Sequence, residues 1–419
     1  MRILGCVPFV AICFAAALVG QEPNVAALRV TTDFPGGAAD ISRVDATQGE
    51  IDLSPPVAEG RGWPCWWYVR IDGLTPGQKL SVKVSAAKQP YREGALLAGD
   101  WSLPERAAIS EDDAVWTQTP PGKRLDRNSA LYQFEAPAET IWLAWGPPCL
   151  PSHAEELLAC AQKRLPQAER FVLAKTLEGR DVTGIRFGGG SPEAPAKYGI
   201  WVQARQHAWE SGSSWVGAGF LEWATSDDPA AAELRRVATI HFVPIMDVDS
   251  VAGGLGGKEA TPRDHNRDWI DMPRYPEVAA AQRKIVELNE AGKLDLYLDL
   301  HNPGASNKKP YFYGPHDLDS LSNIEQRNYA DWIAVAAGAI SGPLPLQPRY
   351  EIASYIKTDE ERRRMSSNWV RDRAAPHVIS TTLETAWNTP HSTQEGYRTV
   401  GRQLGEALAK YLALDPRRE

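Results

Sequence analysis

Apolar and polar positions alternate in short runs through the first third of the chain. Such runs are Ala27-Leu-Arg-Val-Thr-Thr, Trp66-Trp-Tyr-Val-Arg-Ile, Leu80-Ser-Val-Lys-Val, Leu131-Tyr-Gln-Phe and Thr140-Ile-Trp-Leu-Ala-Trp. Alternation places successive side chains on opposite faces of a strand, so each run reads as a half-buried strand. Clusters such as Thr75-Pro-Gly and Pro120-Pro-Gly separate them. Short strands punctuated by turns predict an all-β sandwich over residues 22–150. Gly146-Pro-Pro-Cys-Leu-Pro-Ser closes that region, and a helix is expected from about Ser152 to Lys163.

The period changes after about Phe171. Apolar runs at Phe171–Ala174, Gly184–Phe187, Tyr198–Gln203, Ala238–Pro244, Leu294–Leu300 and Val378–Leu383 read as strands. Helical periodicity appears near 214–225, 229–236, 276–291, 322–341 and 393–413. Strands alternating with helices predict an α/β domain over 151–419, with a mixed, largely parallel sheet and helices on both faces. In such sheets sites form beyond the carboxyl ends of the strands.

Residues 1–20 have a different pattern: Arg2, an apolar run from Ile3 to Val19, then the polar Gln21-Glu22-Pro23-Asn24. A charged start followed by an apolar stretch reads as a signal peptide, so a secreted or periplasmic protein is expected, with an uncleaved anchor as the alternative. No later stretch is apolar enough to span a membrane. Of five cysteines, Cys6 and Cys13 fall in this segment. Cys65, Cys149 and Cys160 remain, an odd number in which Cys149 and Cys160 are a candidate pair.

Composition narrows the function. Over 419 residues the net charge is −8, which argues against nucleic-acid binding and leaves small peptides as plausible partners. Fifteen Trp is a high count; those at Trp63, Trp66, Trp67, Trp201, Trp209 and Trp215 are expected to pack the core and the domain junction rather than to stack on a ligand.

Only eight His occur, so their placement is informative. His207 and Glu210 are three apart just after a strand, a spacing that lets both face one point; alone, this H-x-x-E is a weak signal. His301 ends the apolar strand Leu294–Leu300, where a histidine can also serve as a simple cap. Glu384 ends another buried strand, where an unpaired carboxylate is costly and a buried ion pair is the plain alternative. Taken together, two His and one Glu leave a fourth position open on a tetrahedral zinc, the composition of a catalytic site. A further Glu supplies the base that activated water needs. The polar loop Pro262-Arg-Asp-His-Asn-Arg-Asp-Trp offers an Arg fork for a carboxylate and, in Asp264, a carboxylate able to orient a ligating imidazole, unless it is only a solvated charged loop.

These elements in this order resemble the M14 family of zinc metallocarboxypeptidases. The resemblance rests on His207-x-x-Glu210, Asn266-Arg267, the strand-end His301 and the strand-end Glu384, with 94 residues from His207 to His301 and 83 more to Glu384. Those intervals are closer to the cytosolic-carboxypeptidase-like branch than to the digestive enzymes. Trp67-Tyr-Val-Arg70, Ala144-Trp-Gly-Pro-Pro and Leu173–Arg180 also look like segments of that branch, which carries a β-sandwich before its catalytic domain. The resemblance implies one zinc per chain on His207, Glu210 and His301, and Glu384 as general base. It also implies that Asn266 and Arg267 hold the terminal carboxylate of a peptide or protein, and that Asp264 orients His207.

The chain departs from the family pattern in three places. No Arg lies between Arg236 and Arg263 to steady an oxyanion, so Lys258 and Arg263 are the candidates. Tyr355 is the nearest candidate for the tyrosine that covers the substrate. The export signal sets the chain apart from the cytosolic members that trim glutamate tails. Arg349, Lys357 and Arg362–Arg364 hint at acidic substrates, with a solvated helix face at Asp359–Arg364 as the alternative. The competing function on the same fold is zinc-dependent deacylation or amide hydrolysis of a small molecule.

Overall fold

The computed structural model describes residues 28–418; the expected signal segment lies outside them. Ten strands between Arg29 and Ala144 form two five-stranded sheets. One has the order Arg29–Thr31, Tyr68–Asp72, Thr140–Ala144, Ala108–Ser110, Thr117–Gln118. The other runs Asp40–Asp45, Glu50–Ser54, Lys79–Ser85, Ser129–Glu135, Lys123–Asp126. The alternation is visible in burial: within Lys79–Ser85, Leu80, Val82 and Val84 are buried and their neighbours are not. Those three pack with Val69, Ile71, Ile141 and Leu143 of the facing sheet in one apolar core, as in a sandwich. The strands that the pattern did not reveal, such as Asp40–Asp45 and Lys123–Asp126, are exposed edges with little apolar content.

The second region is built on an eight-stranded sheet. Its order is Glu169–Lys175, Asp181–Gly188, Ala238–Val243, Tyr198–Ala204, Leu296–His301, Ile379–Glu384, Tyr311–Tyr313, Tyr350–Glu351. The four strands from Ala238–Val243 to Ile379–Glu384 are mutually parallel, with antiparallel neighbours on either side. All four are buried on both faces; Tyr198–Ala204 and Leu296–His301 are mostly apolar, whereas Ile379–Glu384 carries Ser380, Thr381 and Thr382. Ile200, Val202, Leu296, Leu298, Leu300, Ile379 and Leu383 point to one side, against the helices Ser211–Ala224, Asn323–Ala339 and Gln394–Ala413. Trp201 and Tyr297 point to the other, against the helices Pro276–Glu290 and Ser366–Arg371. The six long expected helices are present, with ends shifted by up to three residues. Of three short ones, Asp359–Arg363 matches the alternative of a solvated helix face, while Val248–Ala252 and Ser366–Arg371 escape the periodicity because each is under two turns. No helix among the described residues is long and apolar enough to cross a membrane.

The two regions meet through tryptophan. Trp63, Trp101 and Trp145 from the first pack on Trp209 and Trp387 from the second, with centroids 4.4 Å apart for Trp145 and Trp387 and 5.3 Å for Trp145 and Trp209. Cys65, Cys149 and Cys160 are free thiols, so the candidate Cys149–Cys160 pair is not formed: Cys149 is buried while Cys160, on the helix Pro151–Arg164, is exposed.

Candidate active site

Two parallel strands set the centre. His301 ends Leu296–His301 and lies in register with Glu384, the end of Ile379–Glu384. By the period of two, Tyr297, Asp299 and His301 share one face, and Ser380, Thr382 and Glu384 line up beside them. The third strand, Tyr198–Ala204, leads into Arg205, whose φ of +66° turns the chain sharply. The Arg205 guanidinium then donates to Ala208 O at 2.7 Å and Cys149 O at 3.1 Å, holding the loop that carries His207. Glu210 stands just before the helix Ser211–Ala224.

His207, Glu210 and His301 are all buried, and each places a ligand atom within 4.8 Å of the other two. His207 Nδ1 lies 2.8 Å from Glu210 Oε1, and His301 Nδ1 lies 2.7 Å from Glu210 Oε2. The far ring nitrogens are backed by carboxylates. His207 Nε2 faces Asp264 Oδ1 at 3.6 Å, and His301 Nε2 faces Asp299 Oδ2 at 3.0 Å. Two imidazoles and a carboxylate that converge are a donor set suited to zinc; Asp299 hydrogen-bonds the outer nitrogen of His301, and Asp264 stands behind that of His207. Burial works against the Glu210 charge, but His207 and His301 overcome it and hold the carboxyl well below its usual range.

Asp299 was not singled out in the sequence, although Asp299-Leu-His301 on one strand puts both side chains on the same face. It is fully buried and also accepts from the Gln206 amide and from Ser366 Oγ. Ser366 N in turn donates to Asn266 Oδ1 at 2.9 Å. A single hydrogen-bonded chain therefore joins His301, Asp299, Ser366 and Asn266.

The metal-ligand, base and substrate-binding candidates His207, Glu210, His301, Glu384, Asp264, Asn266 and Arg267, with Lys258, Arg263 and Tyr355, line one cavity of about 700 Å³. Glu384 is 9% exposed, and its Oε2 has no hydrogen-bond partner. Burial, with Glu210 and Asp299 adding to it and His301 and Lys258 partly offsetting it, pushes its carboxyl up to about 8. Arg267 donates Nη1 to Asn266 O at 2.9 Å. Burial opposes the Arg267 charge, yet Asp264, Tyr355 and Glu361 raise its pKa overall. Lys258 Nζ lies 5.3 Å from the Trp63 ring centroid. Among the described residues neither Arg267 nor Lys258 is paired with a carboxylate. Arg263, by contrast, is tied through Nε to the buried Asp268 at 2.8 Å. Tyr355 is 53% exposed at the rim. Of the basic residues that hinted at acidic substrates, Arg364 lines the cavity, paired with Glu360; Arg349, Lys357, Arg362 and Arg363 are not among its lining residues. The helix Asp359–Arg363 buries no side chain, in keeping with a solvated face.

The sandwich region forms part of the wall. Trp63, Arg92 and Trp101 line the cavity. Trp63 N donates to Lys258 O at 2.9 Å, Gly257 N to Arg61 O at 3.1 Å, and Thr261 N to Gly60 O at 3.0 Å, so the loop bearing Lys258 is laced to the first region by its backbone.

A profile of the zinc carboxypeptidase family, Peptidase_M14, matches residues 154–269, the stretch that carries His207, Glu210 and the Asp264–Arg267 turn. Protein ZMO1242 of Zymomonas mobilis is 26% identical over 319 residues, 73% of this chain and 76% of that protein. Mouse cytosolic carboxypeptidase 2 is 34% identical over 138 residues, but these are 32% of this chain and only 16% of the mouse protein. A solved metallo-carboxypeptidase from Burkholderia cenocepacia shares the fold, with TM-score 0.78 at 22% identity over 93% of this chain and 99% of that one. Profile, relatives and fold agree with the His-Glu-His cluster at the strand ends: residues 154–269 match the M14 zinc carboxypeptidase profile, and the described chain has the fold of a solved metallo-carboxypeptidase.

Proposed function

We propose that the protein removes C-terminal residues from peptides, with His207, Glu210 and His301 holding one zinc ion. The observation that carries this reading is the placement of Arg267, a guanidinium without a carboxylate partner, in the same cavity as those three ligands and Glu384. Zinc in such a site acts as a Lewis acid toward a carbonyl and lowers the pKa of water. Arg267, with the Asn266 amide beside it, grips the terminal carboxylate and so sets which peptide bond reaches the metal. Glu384 takes the proton of the attacking water and delivers it to the departing amine nitrogen. Lys258 faces the charge that develops on the carbonyl oxygen, a role for which Arg263 is less fit because Asp268 already holds it. Tyr355 covers the bound residue from the rim. Asp264 and Asp299 keep the two imidazoles in register. The segment 1–20 directs the chain out of the cytoplasm.

The test is a peptide digest read by mass spectrometry, using matched peptides with free and amidated C-termini, with and without chelator. Stepwise loss from free C-termini only, abolished by chelator, is expected. Equal cleavage of amidated peptides would remove the exopeptidase reading in favour of a deacylase or amidase.

A further inference from the structure

Asp264, Asn266 and Arg267 reach the cavity from one tight turn, of which His265–Arg267 is a single 3-10 turn. The residue between them, His265, goes the other way. It is 3% exposed and is not part of the cavity wall. Its Nε2 lies 2.6 Å from Oε1 of the buried Glu277, on the helix Pro276–Glu290. Its Nδ1 lies 3.6 Å from Oδ2 of the buried Asp247. The Tyr275 ring stacks on the imidazole at 3.8 Å, nearly parallel. Tyr275 also braces both flanks of the turn, donating its OH to Arg263 O at 2.9 Å and its N–H to Asp268 Oδ2 at 2.8 Å.

The charged groups around this ring come from three elements. Glu277 approaches from the helix, Asp247 from the segment before Val248–Ala252, and Asp264 from the turn itself. Asp247 also interacts with the charge of the buried Arg205, and Tyr275 with that of Arg274. Only the imidazolium can donate from both ring nitrogens at once. A neutral ring would leave two buried carboxylates facing each other across it, and Glu277 Oε2 already lacks a partner. Burial works against the His265 charge, yet Asp247, Glu277 and Asp264 overcome it and raise the ring to about 9. In a 3-10 turn, three residues complete one revolution, so fixing one side chain fixes the azimuth of its neighbours.

We propose that His265 is the positioning residue of this turn: clamped as an imidazolium between Glu277 and Asp247, it sets the direction in which Asn266 and Arg267 meet a terminal carboxylate and in which Asp264 meets His207. The roles of Asn266 and Arg267 rest on the carboxypeptidase reading; the clamp itself does not.

The test compares wild type, His265→Gln and Glu277→Gln between pH 6 and 10. N-acylated dipeptides with a free C-terminus give KM and kcat separately, bound zinc is measured, and the imidazole ring signals are followed by NMR. In the wild type the His265 signal should titrate near 9 and KM should rise over the same range. His265→Gln should raise KM on the order of tenfold already at neutral pH, with zinc retained and kcat less affected. Glu277→Gln should move both the NMR titration and the rise in KM to lower pH, a coupled shift that a purely structural role would not produce. It also serves if the His265 variant fails to fold. A wild-type imidazole that titrates near 6.5, or KM profiles that coincide in folded wild type and Glu277→Gln, would overturn the proposal. A wild type that cleaves no free C-terminus would instead sink the carboxypeptidase reading, with the NMR titration still deciding whether the clamp exists.

Discussion

The two regions bury different kinds of residue. Within the described part of residues 28–150 the buried polar side chains are hydroxyls, Ser102, Ser110, Thr119 and Ser129, beside buried Tyr and Trp that bring one polar atom each. The buried acids, bases and histidines all lie after residue 150: Arg205, His207, Glu210, His241, Asp247, Asp264, His265, Asp268, Glu277, Asp295, Asp299, His301 and Glu384. Burying a charge is costly unless it is paired, so such groups gather where partners or a metal can compensate them. Most of them gather in or beside the loops at the carboxyl ends of the parallel strands; Asp295, paired with Arg417 before the start of its strand, and His241, within Ala238–Val243, do not. The sandwich is held by apolar packing, and its part in the chemistry is to furnish one wall of the cavity and to hold the Lys258 loop.

The contrast is sharpest when a charged position is changed without altering its shape. Glu384→Gln should leave zinc bound and lower kcat by roughly 10²–10⁴, as expected for loss of a general base. Near-normal turnover in that variant would take Glu384 out of the mechanism. Asp299→Asn keeps the side-chain volume but weakens the support of His301, and metal affinity should fall about 10–100-fold in a chelator competition. In the sandwich, Leu143→Ala should cost about 2–5 kcal/mol of stability in denaturant unfolding while kcat of the folded fraction stays unchanged. A comparable loss of kcat would show that the two regions are not separable in this way.

The two buried histidines away from the metal cluster should respond to pH with opposite sign. His241 stacks on Trp201, and burial, helped by Lys284 and Arg186, lowers its pKa to about 4. A depressed histidine pKa means that the unfolded chain takes up its proton first. The His241 contribution is therefore fully present above about 6.5 and is lost as pH falls toward 4, by at most about 3 kcal/mol. His265, raised to about 9, contributes stability below about 6.5 and loses it as pH rises through 9. Urea unfolding across this range, with His241→Gln and His265→Gln as controls, should flatten the acid limb in the first variant and the alkaline limb in the second. An unchanged acid limb in His241→Gln would remove that assignment.

Much of the framework could be read directly. The alternation in Lys79–Ser85 and the apolar run in Leu296–His301 announce strands because strand packing imposes those periods locally. Tyr311–Tyr313 and Tyr350–Glu351 were not legible: three- and two-residue strands carry too little pattern, and they exist only because Ile379–Glu384 offers an edge to Tyr311–Tyr313, which in turn offers one to Tyr350–Glu351. Among site residues, the His207, Glu210 and His301 set that could hold a metal stood out by rarity and spacing. Asp299 and Ser366 did not, since an isolated acid or serine has no signature until the fold brings it to His301 and Asn266. His265 looked like one more polar residue of a loop, and only its burial between Glu277 and Asp247 sets it apart.

By itself, then, the sequence determined the alternation of elements, the division into a β-rich first part and an α/β second part, and the residue types that could bind a metal. The tertiary structure decided which of those residues share a point in space. It brought His207 and Glu210 to His301 across 94 residues of chain, and set Glu384 in register with His301. It tied Arg263 to Asp268 and left Lys258, in the same cavity wall, without a carboxylate partner. The physical reason is that periodicity and turn chemistry act between near neighbours, whereas strand register, burial and charge pairing depend on partners that are distant in sequence and meet only when the chain folds.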